Sequence, residues 1–451
     1  MNIKKSKVLA SAIALIGGAL AVHAEGIADE PALPAGYLRL SAVGPSWGQK
    51  QMLDTGFTPC STDRIEIKVS FRNKERGQSA IMCARNAAGV GVLFDYEGGD
   101  TFTVDCGKDG PGRNTLHLAI ENHVDYEFVE DCLNHTFSVN GEKVADLNSA
   151  AFDQAGSTMR LFAIDNGAIF AYSCYVIRSL RVVDPDGNLR LNLVPALELK
   201  TAIAGFYDMV GENFLKAVNK GGSYVPLYYE GGVKGAIPPC YRRVHWVIPT
   251  GKQFLMTCMT PQVTDSIEMT VVPLNVGVGY DLWCARDNNG GKAEFLSYFL
   301  DRGTPRFAAD RGSVRQTPAA IGFVLNKKCR LRSDYKTAKF YVNGVETADL
   351  GGDAGFSVVG GPLFFGAVCS GINADTGNRC NGNYRICSAR VLDEDGTAKM
   401  DLVPCVDKTS GMGGLYDLVR GSFMTAVDDD SNPGLDYDPN DRYDGLIVTV
   451  Q

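Results

Sequence analysis

Leu53-Asp54-Thr55-Gly56-Phe57-Thr58-Pro59, followed by Thr62-Asp63-Arg64-Ile65-Glu66, returns 202 residues later as Leu255-Met256-Thr257-Cys258-Met259-Thr260-Pro261 and Thr264-Asp265-Ser266-Ile267-Glu268. Phe137-Ser138-Val139-Asn140-Gly141 returns as Phe340-Tyr341-Val342-Asn343-Gly344 at an offset of 203, and Gly205-Phe206-Tyr207-Asp208-Met209-Val210 as Gly414-Leu415-Tyr416-Asp417-Leu418-Val419 at 209. An offset that drifts by only a few residues means duplication of a whole module with small loop insertions. Within each copy Ile65, Ile67, Val69 and Phe71 alternate with Glu66, Lys68 and Ser70, as Ile267, Met269 and Val271 alternate with Glu268 and Thr270. A period of two puts the apolar set on one sheet face and predicts half-buried antiparallel strands, with the polar set in water.

Asn140-Gly141 and Asn343-Gly344 lie between apolar segments, where a type I′ turn needs two residues that tolerate positive φ, so each predicts a tight hairpin. A second hairpin per copy turns at Asp186-Gly187 and at Asp395-Gly396, joining Ile177 to Val183 with Leu189 to Val194 and Ile386 to Leu392 with Ala398 to Val403. No long segment beyond the first residues keeps a helical period; Ser149 to Gln154 is expected to make one short helix. The fold class is therefore all-β: two tandem antiparallel β-sandwiches. The first module is expected over 30–218 and the second over 240–427. Residues 219–239, rich in Gly, Tyr and Pro, read as a connector packed against a module, and 428–451 as an acidic tail with a possible edge strand at Leu446 to Val450.

Residues 1–24 read as a cleaved signal peptide, with Lys4, Lys5 and Lys7 before an apolar stretch from Val8 to Val22 and small residues at the cleavage site. The product is expected to be secreted, periplasmic or at the cell surface, with no transmembrane segment in the mature chain. Loss of those three lysines leaves 41 basic residues against 52 acidic ones, a net charge near −11. That balance, without a basic patch interleaved with aromatics, argues against a nucleic-acid partner. The 13 cysteines are an odd number, so in an oxidising compartment at least one thiol stays outside any internal bridge. Only Cys83 and Cys284 occupy equivalent places, so the fold does not rest on a shared disulfide, and the absence of paired Cys-x-x-Cys argues against zinc.

Taken together, the opening Leu53-Asp54-Thr55-Gly56, the Phe-x-Val-Asn-Gly hairpin and the endings Leu193-Val194-Pro195-Ala196 and Leu402-Val403-Pro404-Cys405 resemble the laminin-G-like jelly-roll modules of secreted bacterial proteins, within the concanavalin A-like group. The resemblance implies two jelly-roll sandwiches. Such modules serve adhesion, glycan binding, protein binding or structural spacing. Glucanases of the group carry paired carboxylates on one strand, whereas the comparable strands here offer only Glu66 or Glu268 singly, so no catalytic residue is assigned. The histidines His117, His123, His135 and His245 lack zinc-protease spacing, and no Gly-x-Ser-x-Gly elbow or phosphate-binding loop appears.

The expected role is thus an exported, non-enzymatic binding protein for an extracellular glycan or a surface protein. A self-associating structural component is the alternative, and a polysaccharide hydrolase comes third. Candidate binding residues are Trp47, Trp246, Tyr228 and Tyr229, whose rings could stack on sugars, and the equivalently placed Arg85 and Arg286. No cofactor is expected apart from calcium, for which Asp436, Asp438, Asn440 and Asp444 fall at positions 1, 3, 5 and 9 of a loop; Asp441 and Ile447 replace its usual Gly and Glu. Rim calcium is common in the modules the chain resembles. Cys387 and Cys405 resemble cysteines paired in some of them, although a four-residue loop ending at Asp395-Gly396 sets Cys387 opposite Leu402, three places out of register.

Overall fold

The computed structural model describes residues 32–46, 51–74, 79–85, 89–108, 114–147, 152–164, 169–170, 174–219, 222–224, 227–250, 253–257, 259–274, 280–286, 293–301, 304–312, 314–316, 324–351, 359, 362–370, 373–379, 384–426 and 434–440. Every strand pair in them is antiparallel, and no helix occurs among them. The principal sheet of the first half runs, in spatial order, Glu142–Asp146, Thr136–Val139, Asp125–Asp131, Arg64–Asn73, Cys174–Val183, Leu189–Glu198, Ile203–Asp208 and Asn213–Lys216. The second half repeats that order with Val345–Asp349, Lys339–Val342, Cys329–Asp334, Ser266–Pro273, Tyr384–Leu392, Ala398–Asp407, Gly413–Asp417 and Ser422–Thr425. Opposite each lies a six-stranded sheet, centred on Ser79–Arg85 and Val90–Gly98 in one half and on Tyr280–Arg286 and Ala293–Asp301 in the other. The chain is two tandem antiparallel β-sandwiches of the jelly-roll kind.

The turns explain why these strands pair as they do. Asn140 and Gly141 adopt φ of 50° and 82°, and Asn343 and Gly344 adopt 52° and 82°, the two left-handed residues that a type I′ hairpin requires. Each Asn also accepts a hydrogen bond on its side chain, from the Glu127 N–H or the Arg330 N–H, both at 2.9 Å. At the other hairpins the loop is longer than a two-residue turn: Asp184 N–H bonds to Asn188 O, Asp393 N–H bonds to Thr397 O, and Gly187 and Gly396 take φ of 85° and 82°. In both, the first Asp caps its own loop by accepting from the N–H groups two and four residues on.

Ile65, Ile67, Val69 and Phe71 are at most 3% exposed and fill the space between the sheets, as do Ile267, Met269 and Val271. At roughly 1.5–3 kcal/mol for each large side chain buried, these rows are a main source of stability. The opposite face is not all in water. Ser70 is buried because the outer surface of the first sheet is covered: Val176, beside Ser70, packs with Ala42 and Tyr228 against Val244 and Val247 of the second half, and Glu268, on the second sheet, is buried as well. The stretch expected to be a short helix is not helical over 152–154, where Asp153 lies in a bend and Gln154 bridges to Cys60; Ser149 to Ala151 and the expected signal peptide lie outside the described residues.

The repeated motifs turn out to be braces. Thr55 and Thr257 donate side-chain hydrogen bonds to Met159 O and Leu363 O at 2.9 and 3.0 Å, tying the opening segment to the six-stranded sheet. Asp63, fully buried, accepts from Cys60 N–H at 2.7 Å and from Arg190 Nη1 at 2.6 and 2.8 Å. Asp265 repeats this with Gln262 N–H at 2.8 Å and Lys399 Nζ at 3.0 and 2.8 Å. Asp208 and Asp417 gather the N–H groups of the turns that follow them.

A Cys387–Cys405 bridge is not formed. Cys405 is a buried free thiol whose cross-strand neighbours are Gly414 and Arg243, because Tyr241–Arg243 lies beside that part of its strand. The observed register places Ala389, not Cys387, opposite Leu402, because the loop runs five residues from Asp393 to Thr397 and a bulge between Val391 and Leu392 adds one more place.

Removing either buried brace leaves a basic side chain and a backbone N–H without their acceptor. Asp63→Ala and Asp265→Ala are each expected to lower unfolding free energy by about 2–3 kcal/mol, measured by urea denaturation. Midpoints unchanged from the parent would show that the two carboxylates are not structural.

Candidate functional site

Residues 227–243 bind the two sandwiches together. Tyr228–Glu230 adds to Ala42–Gly44 of the first principal sheet, while the next residues turn onto the second: Gly231 N–H bonds to Arg420 O at 3.0 Å and Gly232 N–H to Gly421 O at 2.9 Å. This contact is backbone on backbone. A Cβ on Gly232 would lie 2.4 Å from Gly421 O, and one on Gly421, at φ +65°, would lie 2.5 Å from Gly232 O. Tyr416 OH donates to Val233 O at 2.8 Å, and Tyr229 and Tyr241 share a buried OH–OH bond of 3.0 Å.

Where these elements meet, a cleft of about 270 Å³ opens, lined by Ser41, Arg72 and His123 of the first sandwich, Glu230, Gly231 and Lys234 of the joining segment, and Val419 and Arg420 of the second. Arg72, buried, pairs through Nη2 with Glu230, and its Nη1 lies 3.1 Å from His123 Nδ1. Glu230 also accepts from Tyr228 OH at 3.0 Å. Arg72 Nε is buried without a hydrogen-bond partner among the described residues. Arg420 lies 3.8 Å from Asp417, and its pKa is raised by Tyr228, Asp417 and Glu230 against the opposing effect of burial.

His123 presents much of its surface to solvent, yet the protein packed around its ring, together with the charges of Arg72 and Arg420, pushes its pKa down to about 4. Solvent screens part of that push. At neutral pH the imidazole is uncharged, so Arg72, Lys234 and Arg420 against Glu230 leave the cleft with net positive charge in a chain of net charge −8. The residue has φ of 65° and donates its N–H to Phe71 O at 2.7 Å; the matching place in the second sandwich is Asn326, with φ of 62° and an N–H bond to Pro273 O at 2.8 Å. A left-handed position is met by Asn as well as by His. The first module therefore carries an imidazole where the shared backbone does not require one.

The expected site residues fall elsewhere. Tyr228 and Tyr229 are buried at 6% and 2% exposure, so neither offers a free face to a sugar; they are packing residues of the junction. Trp246 is half-buried with the Arg385 guanidinium 4.2 Å from its ring centroid. Arg85 is buried and paired with Asp105 at 3.3 Å, which removes it from any open surface. Arg286 ends the strand Tyr280–Arg286 opposite Ala293. Trp47 and Asp444 lie outside the described residues. Asp436 and Asp438 each accept a backbone N–H, from Tyr437 and Asn440, both at 2.9 Å. Glu66 pairs with Arg64 at 3.1 Å and the buried Glu268 pairs with Arg330 at 2.8 Å, so each carboxylate meets a guanidinium.

Arg72, His123, Glu230, Lys234 and Arg420 were not legible as a group, since they come from four separate segments. The one local signal was His123 aligned with Asn326. No family model matches the chain, and no curated protein matches it. Among solved structures, it is similar to the mouse laminin α1 chain, domains LG4-5, at 10% identity and a TM-score of 0.32, over 88% of this chain and 97% of that one. With so low a TM-score, the fold rests on the chain's own sheets. No helix among the described residues is long and apolar enough to cross a membrane.

A lowered folded-state pKa means that the contribution of neutral His123 is present above pH 6.5 and lost as pH falls toward 4. Over that window the parent protein is expected to lose more thermal stability than His123→Asn. Melting temperatures that fall in parallel would show that His123 is not held neutral by its surroundings.

Proposed function

We propose that the chain is a non-catalytic extracellular binding protein whose ligand-binding site is the junction cleft, and that the ligand is a glycan bearing a carboxylate or sulfate group. The observation that carries this reading is the convergence of Arg72, Lys234 and Arg420 on one cleft of an acidic protein. Guanidinium and ammonium groups recognise carboxylate and sulfate oxygens by charge-assisted hydrogen bonds. A concave site walled by protein focuses that field on an approaching anion.

Shape narrows the ligand further. Pockets for drug-sized molecules run from about 300 to 1,000 Å³. At about 270 Å³ the cleft admits one charged sugar residue, such as a chain end or side branch, rather than a length of polysaccharide. Its lining holds no Tyr, Trp or Phe, so recognition comes from charge and hydrogen bonding and not from stacking. Because the cleft needs both sandwiches, the duplicated architecture makes one composite site.

Lys234 is exposed and tests the reading without disturbing the buried network. On an array of acidic and neutral glycans, the parent protein is expected to retain uronic acid-bearing or sulfated members, with retention falling as salt is raised. Lys234→Glu should weaken that binding by about tenfold, a loss of about 1.4 kcal/mol. Equal binding by the variant, or retention of neutral glycans alone, would defeat the proposal.

A further inference from the structure

Inside the first sandwich, far from any need of the fold, a carboxyl group and two thiols face one another. The strand Asp125–Asp131 sends Tyr126, Phe128 and Glu130 toward the core, opposite Val69, Ile67 and Ile65, and Cys132 follows at the next inward place. From the facing sheet, Thr101–Lys108 contributes Phe102, Val104 and Cys106. Cys106, Glu130 and Cys132 are exposed by 1%, 2% and 0%, and their Sγ and carboxylate atoms all lie within 4.8 Å of one another. Both cysteines are free thiols, hydrogen-bonded to each other. Neither oxygen of Glu130 has a hydrogen-bond partner among the described residues.

A buried carboxyl group left in that state costs stability, and native structures rarely keep one without a reason. The second sandwich shows that the architecture does without it. Strand register aligns Glu130 with Ser333, since they face Ile65 and Ile267, and aligns Cys132 with Tyr335, whose N–H groups bond to Asp63 O and Asp265 O. It aligns Cys106 with Arg311, through Leu93 opposite Asp105 and Phe295 opposite Asp310. There Tyr335 OH accepts from Trp283 Nε1 at 3.4 Å and Arg311 reaches Tyr335 O at 3.2 Å, so the same space is filled by a large aromatic pair and a bonded guanidinium.

We infer that Cys106, Glu130 and Cys132 form a structural site for a soft divalent cation of the zinc class. Two thiolates and a carboxylate with both oxygens available are donors that zinc takes, and a closed site without solvent access is characteristic of a structural metal. Binding displaces one proton from each thiol and one from the carboxyl group, so the neutral, proton-bearing trio becomes the ligand set and the orphaned oxygens acquire their partner. The ion enters as the sandwich folds, because the finished core offers no path for it.

The test is to produce the full chain with zinc or cobalt present during folding and measure bound metal by mass spectrometry, with the absorption of the cobalt form alongside. One equivalent per chain is expected, with a sulfur-to-cobalt charge-transfer band, and chelation during refolding should lower the melting temperature. Cys106→Ser and Glu130→Gln should lose the metal and the band, whereas Cys60→Ser, outside the trio, should keep both. Should the core variants fail to fold, the stoichiometry and spectrum of the parent chain decide. Absence of bound metal would overturn the inference, as would peptide mapping that finds Cys106 joined to Cys132 in the product folded with metal.

Discussion

Everything at the centre of this molecule depends on the close approach of two backbones, Gly231-Gly232 against Arg420-Gly421. Side chains at this contact would push the sandwiches apart, since Cβ atoms on Gly232 or Gly421 would fall about 2.5 Å from a carbonyl oxygen. The place matching Gly421 in the first sandwich is Glu212, also left-handed at φ 52° but free to carry a side chain. Only the copy that receives the joining segment needs glycine there. Docking then covers the outer face of the first principal sheet and explains why Ser70 and Val176 are buried on a face whose alternation reads as solvated. It also brings Arg420 to Arg72 and so creates the cleft.

How far the sequence reveals this follows from the range of each interaction. Type I′ hairpins at Asn140-Gly141 and Asn343-Gly344 are encoded by two adjacent residues, and the core rows by alternation, so both were readable along with the all-β class. Asp63 and Asp265 were visible only as parts of a repeated motif. Their partners Arg190 and Lys399 stand 127 and 134 residues away, and nothing local reveals that such an Asp is buried. Tyr228 and Tyr229, in a segment rich in glycine and proline, read as exposed rings for the same reason: what buries them is the second sandwich. Glu130 leaves a local trace, because a carboxylate on the parity of Tyr126 and Phe128 breaks the apolar row.

Duplication supplies a control within one chain. Positions that match in both halves, such as Thr55 and Thr257 or the Oδ1 atoms of Asp208 and Asp417, make matching bonds in each and belong to the scaffold. Positions where the backbone matches but the chemistry departs, His123 against Asn326 and Glu130 against Ser333, are those where one half carries something the fold does not ask of it. Both departures add a titratable group to the first sandwich, one at the junction and one in its interior.

Their electrostatic settings are opposite, and that difference separates their roles. His123 sits among guanidinium groups that oppose a further positive charge, which keeps the imidazole neutral and leaves the cleft's field to Arg72, Lys234 and Arg420. Glu130 sits among thiols and beside Asp105, a buried setting that opposes negative charge. A surface field of fixed cations suits a ligand that comes and goes, since solvent and salt can compete for it. A dry trio of proton-bearing acids suits an ion taken up once, because each proton it releases must leave before the core closes. The first sandwich thus pairs an exchangeable anion site at its edge with a sequestered cation site at its centre, and the second, filled there by Trp283, Tyr335 and Arg311, serves as the frame that completes the cleft.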